Sequence, residues 1–158
     1  MNPYAAQLGT RNAREVIAET PARLEGLAGQ LGAEGLKRSL APGKWSAGAI
    51  LCHLAECEVA FVFRLKQALA EPYHVIQPFD QDAWSTPYES LDARAALETF
   101  SALRRWNLAL IERILPDGFS KKLKHPERGE LTVQVQIETM AGHDLNHLKQ
   151  LETIAARA

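Results

Sequence analysis

An all-α fold, a four-helix bundle, is what this sequence predicts, on three observations. Four long segments place apolar side chains at helical spacing, and no stretch alternates strongly enough to be read as a strand. The chain is 158 residues long, an ordinary size for one domain, so residues 1–158 are expected to form a single unit. Long helices confined to one small domain bury their apolar stripes against one another as a bundle.

The first helix is expected from Tyr4 to Leu31, with Val16, Ile17, Leu24, Leu27 and Leu31 on its buried face. Pro21, after Thr20, marks a kink or a fresh start, because proline suits a first helical turn and lacks the N–H an interior turn needs. The second runs from Ser46 to Leu69, with Ser46 as N-cap and Trp45 stapled onto Ile50. Its stripe is Ile50, Leu54, Cys57, Phe61, Leu65 and Ala68, and His53 sits at the stripe's edge, where it can face a cleft. From Glu71 to Ser90 there is no clear period. Three prolines interleave there with Tyr73, Phe79, Trp84 and Tyr88, which predicts an ordered cover. The third helix spans Leu91 to Leu115, capped by Ser90, with Asp92 in its first turn, and Pro116-Asp-Gly ends it. Phe119 to Glu130 reads as a loop. The fourth helix spans Thr132 to Ala156, with Val133, Ile137, Met140, His147, Leu151 and Ile154 on one stripe and His143 to its side. Asp144, between Met140 and His147, needs a buried partner, either a histidine or the Trp45 indole. Glu58, near the second stripe, is expected to meet a basic side chain.

Charge excludes some function classes. A formal net charge of -1 and a pI near 6.5 exert no pull on nucleic acid or anionic lipid. Lys121, Lys122 and Lys124 read as a solvated loop cluster. Cys52 and Cys57 would lie roughly 8 Å apart on one helix, beyond disulfide reach, and read as packing residues. No basic leader followed by an apolar run opens the sequence, and no apolar run approaches the ~20 residues a membrane span needs. A cytoplasmic protein with neither nucleic acid nor membrane as partner is therefore expected.

The chemistry concentrates in the histidines. His143 and His147 lie four residues apart, on one helix face and roughly 6 Å apart along the axis. His53 from a facing helix would complete a tripod for one divalent metal ion, with open positions left for catalysis. Neutral nitrogen donors suit zinc, nickel, iron(II) or copper, whereas calcium and magnesium prefer oxygen. Glu56, three residues after His53, is the candidate catalytic carboxylate, as general base or as support for an imidazole; a solvated carboxylate is the alternative. Cys57 lies one turn from His53 and could reach the same metal, but packing is its expected role. His74 and His125, beside prolines, read as surface residues. Trp84, Tyr88 and Phe79 are core or pocket lining. A di-iron carboxylate centre needs two Glu-x-x-His motifs, and only the reversed order His53-x-x-Glu56 occurs.

Several pieces then follow in a particular order: Pro42-Gly-Lys-Trp45-Ser46, His53-Leu-Ala-Glu56-Cys-Glu58, Gly129-Glu-Leu-Thr132, and His143-Asp-Leu-Asn-His147-Leu-Lys-Gln150. From Leu24 to Leu151 the sequence resembles the DinB-like (DinB/YfiT) superfamily of metal-dependent enzymes. The resemblance implies a bundle in the order up-down-down-up and one divalent metal, zinc or nickel, on His53, His143 and His147. It also implies a homodimer. Relatives include enzymes using low-molecular-weight thiols such as bacillithiol or mycothiol, and a maleylpyruvate isomerase. Glu56 stands where an aspartate is frequent. The function expected is a mononuclear metal-dependent enzyme activating a thiol or water nucleophile against a small-molecule substrate, in the manner of a thiol-dependent S-transferase. A metal-dependent hydrolase and a non-enzymatic metal-binding stress-response module are the alternatives. No basic cluster beside the ligands marks a pocket for a charged thiol.

Overall fold

A computed structural model describes residues 1–157. The expected first helix is two: α1 (Ala5–Leu8) and α2 (Ala13–Leu36), the second capped by Asn12, whose side chain accepts the Arg14 N–H at 3.0 Å. Within α2 the helical backbone breaks at Gly32, with φ of 61°, and Pro21 lies inside the helix. Pro21 has no N–H to offer the Ile17 carbonyl. Arg104 Nη1 fills that vacancy, donating to Ile17 O at 2.9 Å, so the chain runs on.

The next helix, α3 (Ala47–Ala70), starts as predicted: Ser46 Oγ accepts the Ala49 N–H at 3.1 Å. The reciprocal half of this cap comes from far along the chain. Glu89, in a 3-10 turn over Tyr88–Ser90, accepts the Ser46 N–H at 3.1 Å and the Ser46 hydroxyl at 2.8 Å. The cover also holds a short helix, α4 (Gln81–Ser85). The cap of α5 (Ala93–Ile111) is Asp92 rather than Ser90: one Asp92 oxygen accepts two backbone N–H groups, while the Ser90 hydroxyl donates to Pro87 O at 2.8 Å. Thr132 caps α6 (Val133–Ala155), accepting the Val135 N–H at 3.2 Å.

Strands are present, contrary to expectation. A three-stranded sheet in the order β1 (His74–Val75), β2 (Lys122–His125), β3 (Gly129–Thr132) pairs β1 parallel and β3 antiparallel to β2. Strands this short cannot display a period of two convincingly. The expected loop at 119–130 is therefore largely a hairpin, in which Leu123 and His125 point inward. The three lysines are exposed, as expected, although Lys122 pairs with Glu130 at 2.9 Å and Lys121 Nζ donates to Leu69 O.

Four helices form the bundle, in the order up-down-down-up. Both α2 and α3 pack on α5 and on α6 but scarcely on each other, so they occupy a diagonal. Leu24, Leu54, Leu65, Phe100, Met140 and Leu148 belong to the shared core. Among the described residues, no helix is long and apolar enough to cross a membrane.

Inside that core lies an ion cluster. Arg104 of α5, with 0% exposure, donates from Nε and Nη2 to Glu58 of α3 at 2.9 and 2.7 Å. It also donates to Asp144 of α6 at 2.6 and 3.2 Å. With the Ile17 carbonyl, this employs all of its donors. Asn107 Nδ2 adds a bond to Glu58 Oε1 at 2.7 Å. Glu58 thus has the basic partner expected, whereas Asp144 meets neither a histidine nor Trp45. Burial alone would push the Arg104 guanidinium down; the Asp144 and Glu58 charges outweigh it and hold the group above its ordinary value.

Candidate metal centre

The adjacent turns of α3 and α6 bring the three predicted histidines together. His53 Nε2 lies 3.0 Å from His143 Nε2, which lies 3.2 Å from His147 Nε2. The His53 and His147 ring centroids are 4.9 Å apart. All three rings are buried. Cys57, one turn after His53, places Sγ 3.5 Å from His53 Nε2. Donor atoms of His53, Cys57 and His143 all lie within 4.8 Å of one another. The thiol is thus as much a part of this cluster as the imidazoles, and its signal in sequence is the same four-residue step that marks His143 and His147.

These donors fit a divalent cation. Tetrahedral coordination with metal–nitrogen bonds of about 2.0–2.1 Å separates nitrogens by about 3.3 Å, near the 3.0 and 3.2 Å between His143 and its two imidazole neighbours, while His147 stands outside the mutually close set of His53, Cys57 and His143. Gln150 Oε1 accepts the proton of His147 Nδ1 at 2.8 Å, which turns the Nε2 lone pair toward the cluster. His143 Nδ1 is buried with no partner among the described residues. In the metal-free state a proton on His143 Nε2 can bridge to its neighbours; replacing it with a cation turns the same atoms into ligands.

Protonation states agree. Burial, aided by His147, brings His53 down to about 3. Burial, opposed by the Gln150 bond, brings His147 down to about 4. Burial also holds His143 well below its ordinary value. All three rings are neutral donors at pH 7. Cys57 differs: burial pushes its thiol up to about 12, so it is protonated at pH 7 and would donate as a thiolate only by giving up that proton on metal binding.

Aromatic side chains wall the cluster. Trp45 lies 4.8 Å from His53 between ring centroids and 5.7 Å from Tyr88. Tyr4 meets the His143 ring edge-on at 5.3 Å. Gly142 makes this approach possible, since a Cβ there would stand 2.6 Å from both Cβ and O of Tyr4. Nothing but a glycine preceding His143 could have signalled Tyr4 in the sequence. Glu56 is held by the Tyr88 hydroxyl, which donates to its Oε2 at 2.5 Å, and it makes no hydrogen bond to the histidine rings among the described residues. Burial and the Glu56 carboxylate raise the Tyr88 pKa.

A cleft of about 150 Å³ opens onto Cys57 and His143, with Tyr4, Phe61, Arg64, Phe79, His125 and Arg128 along its sides. Two expectations are corrected here. His125 is not a surface residue: strand β2 turns it inward to 3% exposure, and its Nδ1 accepts the Glu127 N–H at 3.2 Å. Basic groups do stand beside the cluster, because the β2–β3 hairpin carries Arg128 to the same cleft as Arg64. His74 is half-buried and pairs with Glu71 at 2.9 Å. Of the three aromatics left open, Phe79 lines the cleft and stacks on Trp84 at 4.3 Å, and Tyr88 is buried.

A diagonal four-helix bundle with a buried imidazole and thiol cluster beneath a cleft defines a class of metal-site bundles. The chain belongs to the DinB superfamily, whose pattern matches residues 17–151. It is similar to a protein of Oceanobacillus iheyensis named "Putative metal-dependent hydrolase", with 28% identity over 142 residues covering 89% of this chain and 83% of the relative. Bacillus subtilis YfiT, which carries the same name, is 25% identical over 90% of this chain and 82% of its own. The solved structure of YfiT, described as a probable metal-dependent hydrolase with an unusual four-helix bundle topology, superposes with a TM-score of 0.85 at 22% identity. That superposition covers 92% of this chain and 85% of YfiT.

Proposed function

We propose that the protein is a metal-dependent hydrolase of small molecules, with zinc or nickel held by His53, His143 and His147 and with Cys57 as a further donor. One observation carries the reading: the Nε2 atoms approach to 3.0 and 3.2 Å beneath a cleft wide enough for a substrate group. When bound, the cation supplies Lewis-acid polarisation and a nucleophile at neutral pH. The chain's own groups do the rest. Gln150 fixes the His147 tautomer, and Tyr4 and Phe61 exclude bulk water from His143. Glu56, held through Oε2 by Tyr88, is not among the residues lining the cleft; its proposed role as proton acceptor rests on its place one turn from His53. Thiol-dependent transfer is the second reading, favoured by the basic side chains of the cleft, which suit a charged low-molecular-weight thiol. The exposed Val59 and Phe63 of α3 and Trp106 of α5 support a homodimer of such units.

The test is metal analysis of purified protein together with hydrolysis of a panel of activated esters. Stoichiometric zinc or nickel, lost in His147→Ala with helicity intact, and chelator-sensitive hydrolysis are expected. Metal bound without turnover would leave a binding module. Metal content unchanged in His147→Ala would remove that ring from the ligand set.

A further inference from the structure

The cleft has an apolar floor beside the cluster and a rim carrying two guanidinium groups, Arg64 of α3 and Arg128 of the β2–β3 turn. Neither pairs with a carboxylate among the described residues. Arg64 is nonetheless held in place. Its Nη2 donates to Gln77 O at 3.3 Å, and its guanidinium carbon lies 5.3 Å from the Phe79 ring centroid. That single bond leaves most of its fork of donors free. Burial and the neighbouring Arg128 charge both push Arg64 below its ordinary value, as expected of like charges that share a cavity. His125 adds to the rim, because its Nδ1 is occupied as an acceptor and the ring proton therefore sits on Nε2. Among the described residues, Glu127 is the one acidic side chain lining the cleft.

We propose that the substrate carries an anionic group, a carboxylate or a phosphate, that docks between Arg64 and Arg128 while its reactive end lies over His143. Both arginines present the planar fork that takes either oxyanion in two parallel hydrogen bonds. A cleft of about 150 Å³ admits a small anionic head and excludes a folded partner. Docking the anion is independent of the cation; only the placement of the reactive end rests on the hydrolase reading.

Calorimetry on the full-length protein with inorganic phosphate and with succinate, each before and after chelation, tests this. Binding is expected in both metal states, weakened about tenfold or more by Arg64→Gln or Arg128→Gln. Arg64→Lys is expected to restore part of it, because the charge remains without the fork, and binding should fall as salt is raised. Circular dichroism checks that each variant is folded. Preference for succinate assigns a carboxylate, and preference for phosphate a phosphate. Affinity unchanged in both glutamine variants, binding that vanishes on chelation, or no binding of either probe would overturn the proposal. Anion binding that persists while no ester is hydrolysed would sink the hydrolase reading and leave the anion site standing.

Discussion

Replacing Arg104 with methionine would keep most of the side chain's apolar stem and delete its charge. Glu58 would retain only its bond from Asn107, at 2.7 Å, and Asp144 would lose the two bonds at 2.6 and 3.2 Å. Stranding one member of a buried ion pair costs about 3–5 kcal/mol. The Ile17 carbonyl, already deprived of a helical donor by Pro21, would add about 1–3 kcal/mol if left without a partner. Part of this is relieved when a stranded carboxylate takes up a proton, so a net loss of about 5 kcal/mol at pH 7 is expected, a large share of a typical domain's stability. The sign with pH is diagnostic. An uncompensated buried carboxyl has a folded pKa above its unfolded value, so its penalty grows as pH rises between the two. The difference between wild type and variant should therefore be smaller at pH 5 than at pH 7. Urea unfolding followed by circular dichroism at both pH values measures it. A loss under about 1 kcal/mol at pH 7, the scale of an exposed pair, would refute the reasoning. So would a larger difference at pH 5. A triple variant that also replaces Glu58 and Asp144 with apolar residues should recover much of the loss.

Glu56→Gln should retain the metal and lose hydrolysis, because the amide cannot accept the proton; full activity would make Glu56 a bystander. Gly142→Ala should push Tyr4 off the His143 ring, since 2.6 Å leaves no room for a methyl group, and unchanged tyrosine fluorescence and metal affinity would contradict the notch. Protein stripped of metal should lose stability as pH falls below about 6.5. His53 and His147 fold with values of about 3 and 4, so their contribution is complete above the unfolded value and lost on the way down to those values. Each histidine contributes about 1.4 kcal/mol per pH unit in that window. A melting temperature flat from pH 7 to pH 5 would show that these rings are not buried neutral.

Local signals were legible in the sequence, and meetings between distant segments were not. The spacing of His143 and His147 needs only one helix, and Ser46 needs only the turn that follows it. Arg104 sits in Arg104-Arg105-Trp106, which reads as a solvated face; its burial depends on a carbonyl vacated by Pro21 and on carboxylates from two other helices. The sequence favours Ser90 as the cap with Asp92 in the first turn, but the backbone turns helical only after Asp92, which is the cap. The sheet escaped because its strands are two to four residues long. Arg64 and Arg128 share a cleft because the unforeseen β2–β3 turn carries Arg128 to it.

The cover between α3 and α5 does more than shield. Its Tyr88–Glu89 pair reaches α3 at two points, Glu89 at the Ser46 start and Tyr88 at Glu56, and His53 lies between them. Lifting this segment would release the first turns of the helix from both ends at once, letting the imidazole drift from its neighbours. Substitutions within residues 71–92, remote in sequence from every ring, therefore have a direct route to weakening the centre.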